Sequence, residues 1–490
     1  MTALPRAAGL PFGDTLTDLF GTPSSPRRRA DGGLMVVRAE QDARLLGAYR
    51  ELRREAFVER QGLFARSDLD DRDDDPDTRV LVAVGLDGEV VGGVRLHPEG
   101  DDRRLGWWRG SRLVCAHAGP SRGHPGTALV RAACASAVQA GALRFDAHVQ
   151  ERHVAFFRRL GWTSAGGVDC AGVAHRVMRW QVDRVAELVQ RTKAPIGSLL
   201  GSLLDGGAIP HGFLGDDGVP VPGSDVVAAT DAILPAMVQR DPEWAGWCAM
   251  LVTAHDLSAM GATPVGALDA LGARDAAHAA RIVSGLRAGS QALALPVLGG
   301  HTQLGVAGAL SVTGLGLASD PVPAGGGRAG DAVTVTADLH GGWRPGYARS
   351  QWDSSSWRSR EELQAMLGAV RIARPRAAKD VSMAGVIGTV GMLAEASGCG
   401  AELDVSRIPR PHGIAAGDWL TCFPGFAMVT ADAPSAAPLA AGAATGARCG
   451  RLTAEPGVRL RWPDGEVTTV LAEPAVTGLG AADHPDRKER

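Results

Sequence analysis

Between Gly215 and Gly385 acidic side chains recur where the chain is about to turn. They stand in Gly215-Asp-Asp217, in Ala228-Ala-Thr-Asp231 at the end of an apolar run, in Ala254-His-Asp-Leu-Ser-Ala-Met-Gly261, and in Ala378-Lys-Asp-Val-Ser-Met-Ala-Gly385. No other feature constrains the fold as strongly. A single Asp at such a position serves well enough as a turn residue or helix cap. Acids spaced this widely act together only if strand ends and helix heads meet in one place, as they do when strands and helices alternate around a sheet. Asp216, Asp217, Asp231, Asp256 and Asp380 form a hard-oxygen set suited to Mg²⁺ carrying nucleotide phosphates, and glycine-rich backbone is suited to cradling the phosphates. The chain has no GxxxxGK[ST] and is not a P-loop protein.

The 490 residues are enough for two to four domains, and the 45% hydrophobic content is enough for their cores. A net charge of -3 gives no basic footprint for nucleic acid. Seven scattered cysteines without a CxxC pair read as reduced thiols rather than a disulfide framework or a zinc site. No apolar run approaches the ~18 residues of a membrane span, and no basic start followed by an apolar core marks a leader. The expectation is a cytoplasmic protein with neither a membrane nor a nucleic acid as partner.

Residues 1–30 read as a mobile tail. From 31 to 180 the pattern is helix (Gln41 to Glu59), acidic loop, strand (Val80 to Val84), turn at Asp87-Gly88, strand (Val90 to Leu96), strand (Arg112 to His117), helix (Gly126 to Ala140), strand (Arg144 to Val149) and helix (Val154 to Leu160). Linker helices follow over 181–209. Gly- and Ala-rich α/β sequence then runs over 210–480, with a boundary near Gly325-Gly-Gly327, and 481–490 is a polar tail.

In the first half, Ser121-Arg-Gly-His-Pro-Gly-Thr-Ala-Leu-Val130 stands between a predicted strand and a helix. Small residues there let backbone N–H groups and a helix N-terminus meet an anion. With Arg144-Phe-Asp-Ala-His-Val-Gln150 and Phe156-Phe-Arg-Arg-Leu-Gly-Trp162, this stretch resembles the GNAT N-acetyltransferases over about 145 residues. The resemblance implies acetyl-CoA held by Arg122, Gly123, Gly126, Thr127, Ala128 and Phe157. It also implies a thioester oxygen polarised by backbone N–H of Val114, Cys115 or Ala116, and an amine or other nitrogenous metabolite as acceptor. Two departures stand out. The loop lacks the family's full basic-x-x-Gly-x-Gly pattern, and Phe157 replaces a tyrosine that donates a proton to the departing thiolate. Another group or water does this, or the half binds without transferring. Glu59, Asp146 and Glu151 are the candidate bases. The run Asp68 to Asp77, with seven Asp and one Arg, lacks the Gly and Glu of a calcium loop. It reads as a solvated acidic loop or as a rim attracting a cationic amine.

The second half resembles the AIR-synthetase superfamily, thiamine-monophosphate kinases included, over about 270 residues. The resemblance implies Mg²⁺ on Asp216, Asp217, Asp231, Asp256 and Asp380, and ATP against Gly215, Thr230, Gly299, Gly300, His301, Thr302 and Ser382. It also implies a homodimer formed through this half. His301 stands where the kinase has an acid, and Met383 replaces its second terminal acid. His211 and Lys379 are candidate contacts for phosphate or substrate. The glycine loop 205–212 has no cysteine and the chain does not end in one, which disfavours selenophosphate synthesis and hydrogenase maturation. Residues 338–360 form a long polar and aromatic loop read as a lid, with Arg344, Trp352 and Asp353 on the substrate side.

The fold expected is therefore α/β and α+β: a GNAT mixed sheet with flanking helices, followed by a PurM-like two-subdomain α/β unit. The whole arrangement resembles fused acetyltransferase/AIR-synthase-like proteins of bacterial nitrilase-associated gene clusters. The function expected is bifunctional: acetyl-CoA-dependent N-acetylation plus Mg²⁺-ATP-dependent activation of a small molecule, as a kinase or as a ligase or cyclase. The alternatives are a kinase with a non-catalytic GNAT half, and a nucleotide- and CoA-sensing module without turnover.

Overall fold

The computed structural model describes residues 29–30, 34–116, 125–204, 211–472 and 476–482. Strands β1 (Arg29–Ala30), β2 (Leu34–Arg38), β3 (Arg79–Val84), β4 (Val90–Pro98), β5 (Trp107–Cys115), β6 (Arg144–Gln150), β7 (Trp162–Cys170) and β8 (Val173–Trp180) form one sheet, ordered β1-β2-β3-β4-β5-β6-β8-β7. Arg29–Ala30 thus pair with β2 and are not part of a tail; residues 1–28 and 483–490 lie outside the described residues. Helix α1 (Ala43–Arg53) continues as a π-helical stretch to Arg60, capped at its start by Asp42. It covers one face of the sheet. Gly93 is required there, because a Cβ would come within 2.4 Å of the Tyr49 ring. Helices α2 (Pro125–Gln139) and α3 (Val154–Arg159) cover the other face. Leu129, Val130, Ala133 and Phe157 share a core there with Trp108, Phe145, Ala147 and Val149. The period-2 alternation of the strands therefore sends Arg109, Asp146 and His148 to the α1 side.

The segment read as linker helices contains α4 (Arg184–Thr192) and α5 (Ile196–Leu204). Next, β9 (Val219–Pro220), β10 (Val226–Ala232), β11 (Thr263–Ala273), β12 (Val297–Leu304) and β13 (Ala309–Leu317) form a sheet ordered β12-β11-β13-β10-β9. After the short α6 (Pro235–Arg240), the sheet is backed by α7 (Pro242–Ala259) and α8 (Ala276–Leu293). These two helices approach so closely that a Cβ on Gly285 would fall 1.9 Å from the Glu243 carbonyl oxygen. The opposite face of the sheet is open, with Leu268, Leu298 and Leu317 exposed.

The last ten strands are β14 (Ala332–Ala337), β15 (Gly342–Trp343), β16 (Gln351–Asp353), β17 (Ala377–Asp380), β18 (Gly400–Asp404), β19 (Phe423–Pro424), β20 (Ala427–Asp432), β21 (Thr445–Thr453), β22 (Val458–Arg461) and β23 (Val467–Leu471). They make a seven-stranded sheet, β17-β20-β14-β21-β18-β22-β23, and a small β15-β16-β19 sheet. Helices α9 (Arg360–Leu367), α10 (Ala369–Ala373), α11 (Gly385–Ala396) and α12 (Ala416–Trp419) complete this part. Every residue of α11 is buried, as an apolar helix without a polar face must be.

The two halves share a core in which Leu105, Trp107 and Leu143 pack with Val185 and Val189 of α4 and with Trp462 and Val470. Arg144 fixes the seam. Its guanidinium lies 4.1 Å from the Trp107 ring centroid and pairs twice with Asp464, at 2.9 and 2.8 Å.

Candidate functional site

In the second half, four elements deliver acids to one cleft of about 790 Å³. Asp231 is near the end of β10, Asp256 is in the last turn of α7, Asp380 ends β17, and Asp216-Asp217 follow Gly215, whose φ of 77° lets the chain turn in. Carboxylate oxygens of Asp217, Asp256 and Asp380 lie within 4.8 Å of one another. Asp231 lines the same cleft as these three acids. Lys379 donates to Asp217 and, at 3.0 Å, to the Gly215 carbonyl; the Asp380 N–H donates to Asp217 Oδ2 at 2.9 Å.

Burial, then mutual repulsion, pushes Asp256 and Asp380 well above the usual carboxylate range. Burial also raises Asp231, and it lifts Asp216 to about 8. Asp216 Oδ1 accepts the Ala324 N–H at 3.0 Å, while its buried Oδ2 has no partner. Burial works against the Lys379 charge, but Asp217 and Asp216 outweigh it and hold the ammonium protonated. The donor set fits a divalent cation: crowded carboxylates, one buried ammonium among them, and an orphaned carboxylate oxygen.

Gly215, Thr230, Ser382 and Lys379 line the same cleft. Gly299, Gly300, His301 and Thr302 do not. They stand on edge strand β12, all exposed, with β11 and β13 between them and β10. The side chain of His211 lies outside the described residues. The lid reading of 338–360 is also corrected. Trp352 is buried edge-on between Trp343 and Trp419 and donates to the His340 carbonyl at 2.6 Å. Asp353 accepts from the Ser356 N–H and hydroxyl, and Arg344 lies 4.0 Å from the Trp244 ring centroid. None of these three lines the cleft; Ser350 and Gln351 beside them do, as do Lys193, Thr477 and Leu479. Glu395 secures those last two by accepting from the N–H groups of Val476, Thr477, Gly478 and Gly480.

In the first half, β5 and β6 pair in parallel only from Trp107↔Arg144 to Gly110↔Ala147, although both strands continue. Beyond that point they diverge and open a V-shaped cleft of about 990 Å³. A bulge against β4 falls at Arg112-Leu113, where Arg112 has φ 55°. Val114, Cys115, Gly126 and Phe157 line the cleft. The Ala116 N–H is committed to the Val91 carbonyl at 2.9 Å and is not a free polarising donor. Thr127 and Ala128 sit in the first turn of α2. Arg122 and Gly123 lie outside the described residues.

The three carboxylates proposed as bases are elsewhere. Asp146 is buried between Arg144 and Arg179 at 2.7 Å from each, at the seam. Glu59 pairs with Arg54 and Glu151 with Arg176, both on the surface. The cleft has His97, Glu99, Arg109 and His148 instead. The acidic loop is solvated only in part: Asp68 and Asp73 are buried against Arg53, Asp73 also pairs with Arg95 and Asp68 with Arg112, whereas Asp71 and Asp74 are exposed and Asp70 lines the cleft.

The family model for AIR synthase related protein, N-terminal domain, matches residues 215–318, and that for the C-terminal domain matches 328–463. The Acetyltransferase (GNAT) family model matches 45–162. An uncharacterised protein of Synechocystis sp. is 34% identical over 228 residues, 45% of this chain and 70% of that protein. One from Methanocaldococcus jannaschii is 32% identical over 197 residues, 38% of this chain and 59% of that protein. The thiamine-monophosphate kinase of Methanospirillum hungatei is 33% identical over 175 residues, 34% of this chain and 58% of the kinase. Among solved structures, AaThiL complexed with AMPPCP and TMP aligns with 55% of this chain and 92% of its own, at 20% identity and a TM-score of 0.44. No helix among the described residues is long and apolar enough to cross a membrane.

Proposed function

Because this chain belongs to the AIR synthase related proteins and carries an N-terminal GNAT acetyltransferase domain, we propose that it is a two-site enzyme acting on a small nitrogenous metabolite. One half acetylates an amine from acetyl-CoA. The other binds Mg²⁺-ATP and activates an oxygen of the metabolite as its phosphate. The observation that carries the second activity is the triad Asp217, Asp256 and Asp380, whose oxygens converge in the cleft with Lys379 paired to Asp217. Mg²⁺, when bound there, neutralises the carboxylates and orients the nucleotide phosphates. Lys379 holds Asp217 in place through the Gly215 turn, and Asp231 lines the cleft beside Asp256.

A homodimer through the open face of the β9–β13 sheet belongs to the same reading. It buries Leu268, Leu298 and Leu317. The reading of a kinase with a non-catalytic GNAT half draws on Phe157, which is buried edge-on against Phe156 and Trp162 and has no proton to donate.

Calorimetric titration with ATP tests the proposal. Binding is expected to require Mg²⁺, and Asp256→Asn is expected to weaken it about a hundredfold, the usual scale for disturbing a metal site, while acetyl-CoA binding is retained. ATP affinity indifferent to Mg²⁺ and to Asp256 would overturn it.

A further inference from the structure

The V between β5 and β6 has two sides, and they differ in chemistry. The α2 side is apolar, with Phe145, Ala147 and Val149 facing the helix. On the α1 side, His97 of β4, Arg109 of β5 and His148 of β6 stand on one polar surface, with Glu99 just past β4.

His97 Nδ1 lies 3.0 Å from Glu99 Oε1, and Arg109 Nη2 lies 3.3 Å from Glu99 Oε2. Arg109 thus holds Glu99, with His97 close beside it, and both the His97 Nδ1 and the Arg109 Nε are buried without a hydrogen-bond partner. His148 is the first residue of β6 beyond the point where the strands part. Its Nδ1 faces Cys170 Sγ at 3.5 Å, which leaves Nε2 for a ligand. Resting on the acetyl transfer proposed above, we propose that this α1-side surface is the acceptor site, that it takes an amine bearing a carboxylate held by Arg109, and that His148 is the catalytic base.

Three observations converge on that assignment. An arginine with an orphaned buried Nε matches a carboxylate, which offers two acceptor oxygens to a guanidinium edge. Arg109 pairs with Asp146, and His148 is the next residue of β6 on the same face, so the two side chains stand on one side of the split. A carboxylate on the guanidinium and an amine on the imidazole can therefore belong to one small ligand, and an α-amino acid is the simplest that carries both groups. Finally, burial and then the Arg109 charge lower the His148 pKa to about 4, so its ring is neutral and able to accept. In the step itself the amine nitrogen bonds to the acetyl carbonyl carbon and the carbon–sulfur bond breaks. The proton leaves nitrogen for His148 and passes through the solvent of the open cleft to the CoA thiolate. Phe157 takes no part.

The test is CoA release from acetyl-CoA with α-amino acids, each beside the amine lacking its carboxylate: alanine with ethylamine, phenylalanine with phenethylamine, ornithine with putrescine. Turnover is expected among the acids and not among their decarboxylated partners. Arg109→Gln should raise KM for the acid roughly tenfold or more, and His148→Gln should lower kcat about a hundredfold. Both variants should keep the acetyl-CoA Kd, which also reports folding. Equal use of acids and plain amines, no turnover with any of them, or an unchanged kcat in His148→Gln would overturn the proposal alone. Failure of the unaltered protein to bind acetyl-CoA would overturn acetyl transfer itself.

Discussion

Two groups of aspartates in this molecule look alike in composition and are opposite in physics. The loop from Asp68 to Asp77 is the densest run of acids in the chain, yet its inward members meet three arginines. Arg53, whose side chain is 0% exposed, pairs with Asp68 and Asp73; Arg95 pairs with Asp70 and Asp73; Arg112 pairs with Asp68 and Asp70. Asp217, Asp256 and Asp380 are far apart in sequence, close in space, and share one direct ion pair, Lys379 with Asp217. The first group is a finished structural network. The second has excess negative charge that the fold does not neutralise, and such excess is what marks a binding site.

The strongest way to break this contrast is Arg53→Ala. It leaves Asp68 and Asp73 buried with part of their positive charge gone, and removing one partner of a buried ionic network costs on the order of 3–5 kcal/mol. The urea midpoint should fall accordingly while Mg²⁺-ATP affinity in the surviving folded protein is unchanged. A stable variant, or one that loses nucleotide binding instead, would show that the loop is not a closed network.

Acid and base should then separate the two groups. Burial alone would raise Asp73, but Arg53 and Arg95 outweigh it and hold it at about 2. An unfolded Asp titrates near 3.9. The stability this network contributes is therefore fully present above about pH 4 and is lost as pH falls through about 2. Asp216 has the opposite sign. Raised to about 8, it binds a proton in the fold that the unfolded chain has already released, so the metal-free second half loses stability as pH rises from about 4 to 8. Hydrogen exchange resolved by peptide should show protection around Arg53–Asp73 declining in acid, and protection around Asp216–Ala232 declining toward pH 8. Mg²⁺-ATP should restore the latter. Parallel pH profiles for the two regions would remove the distinction.

The ease of reading these regions from sequence followed the same divide. Asp216, Asp217, Asp231, Asp256 and Asp380 were legible because each stands at a turn or an element end, where backbone geometry is announced by glycine and by the end of an apolar run. From the first helix to Leu160 the strand and helix order of the first half was legible from periodicity; β1 and β2 ahead of it were not read, nor were β7 and β8, since much of their length is exposed and lacks an apolar face. The base candidates failed because spacing cannot tell which face of a strand meets a cleft and which meets another domain. Asp146 and His148 alternate identically on β6, but Asp146 lies on the paired part of the strand, against Arg144 and Arg179, and His148 lies past the split. The aromatic loop misled for a related reason: a long polar segment reads as mobile until Trp343, Trp352 and Trp419 are seen to pin it.

The smallest predicted effect is in some ways the sharpest, because it concerns acids that belong to neither group. Glu151 pairs with Arg176 on the surface, with both side chains nearly half exposed. Exposed pairs of this kind contribute little and are screened by salt. Glu151→Gln should therefore leave acetyl-CoA turnover within about twofold and the melting temperature unchanged. A large loss of kcat would mean that Glu151 moves into the cleft when substrate binds, and that the base is a carboxylate at the mouth of the V rather than the imidazole within it. An unaffected Glu151→Gln beside a crippled His148→Gln would place the chemistry on the α1 face of the split strands, where burial and a neighbouring arginine, rather than local acid density, determine which side chain can accept a proton.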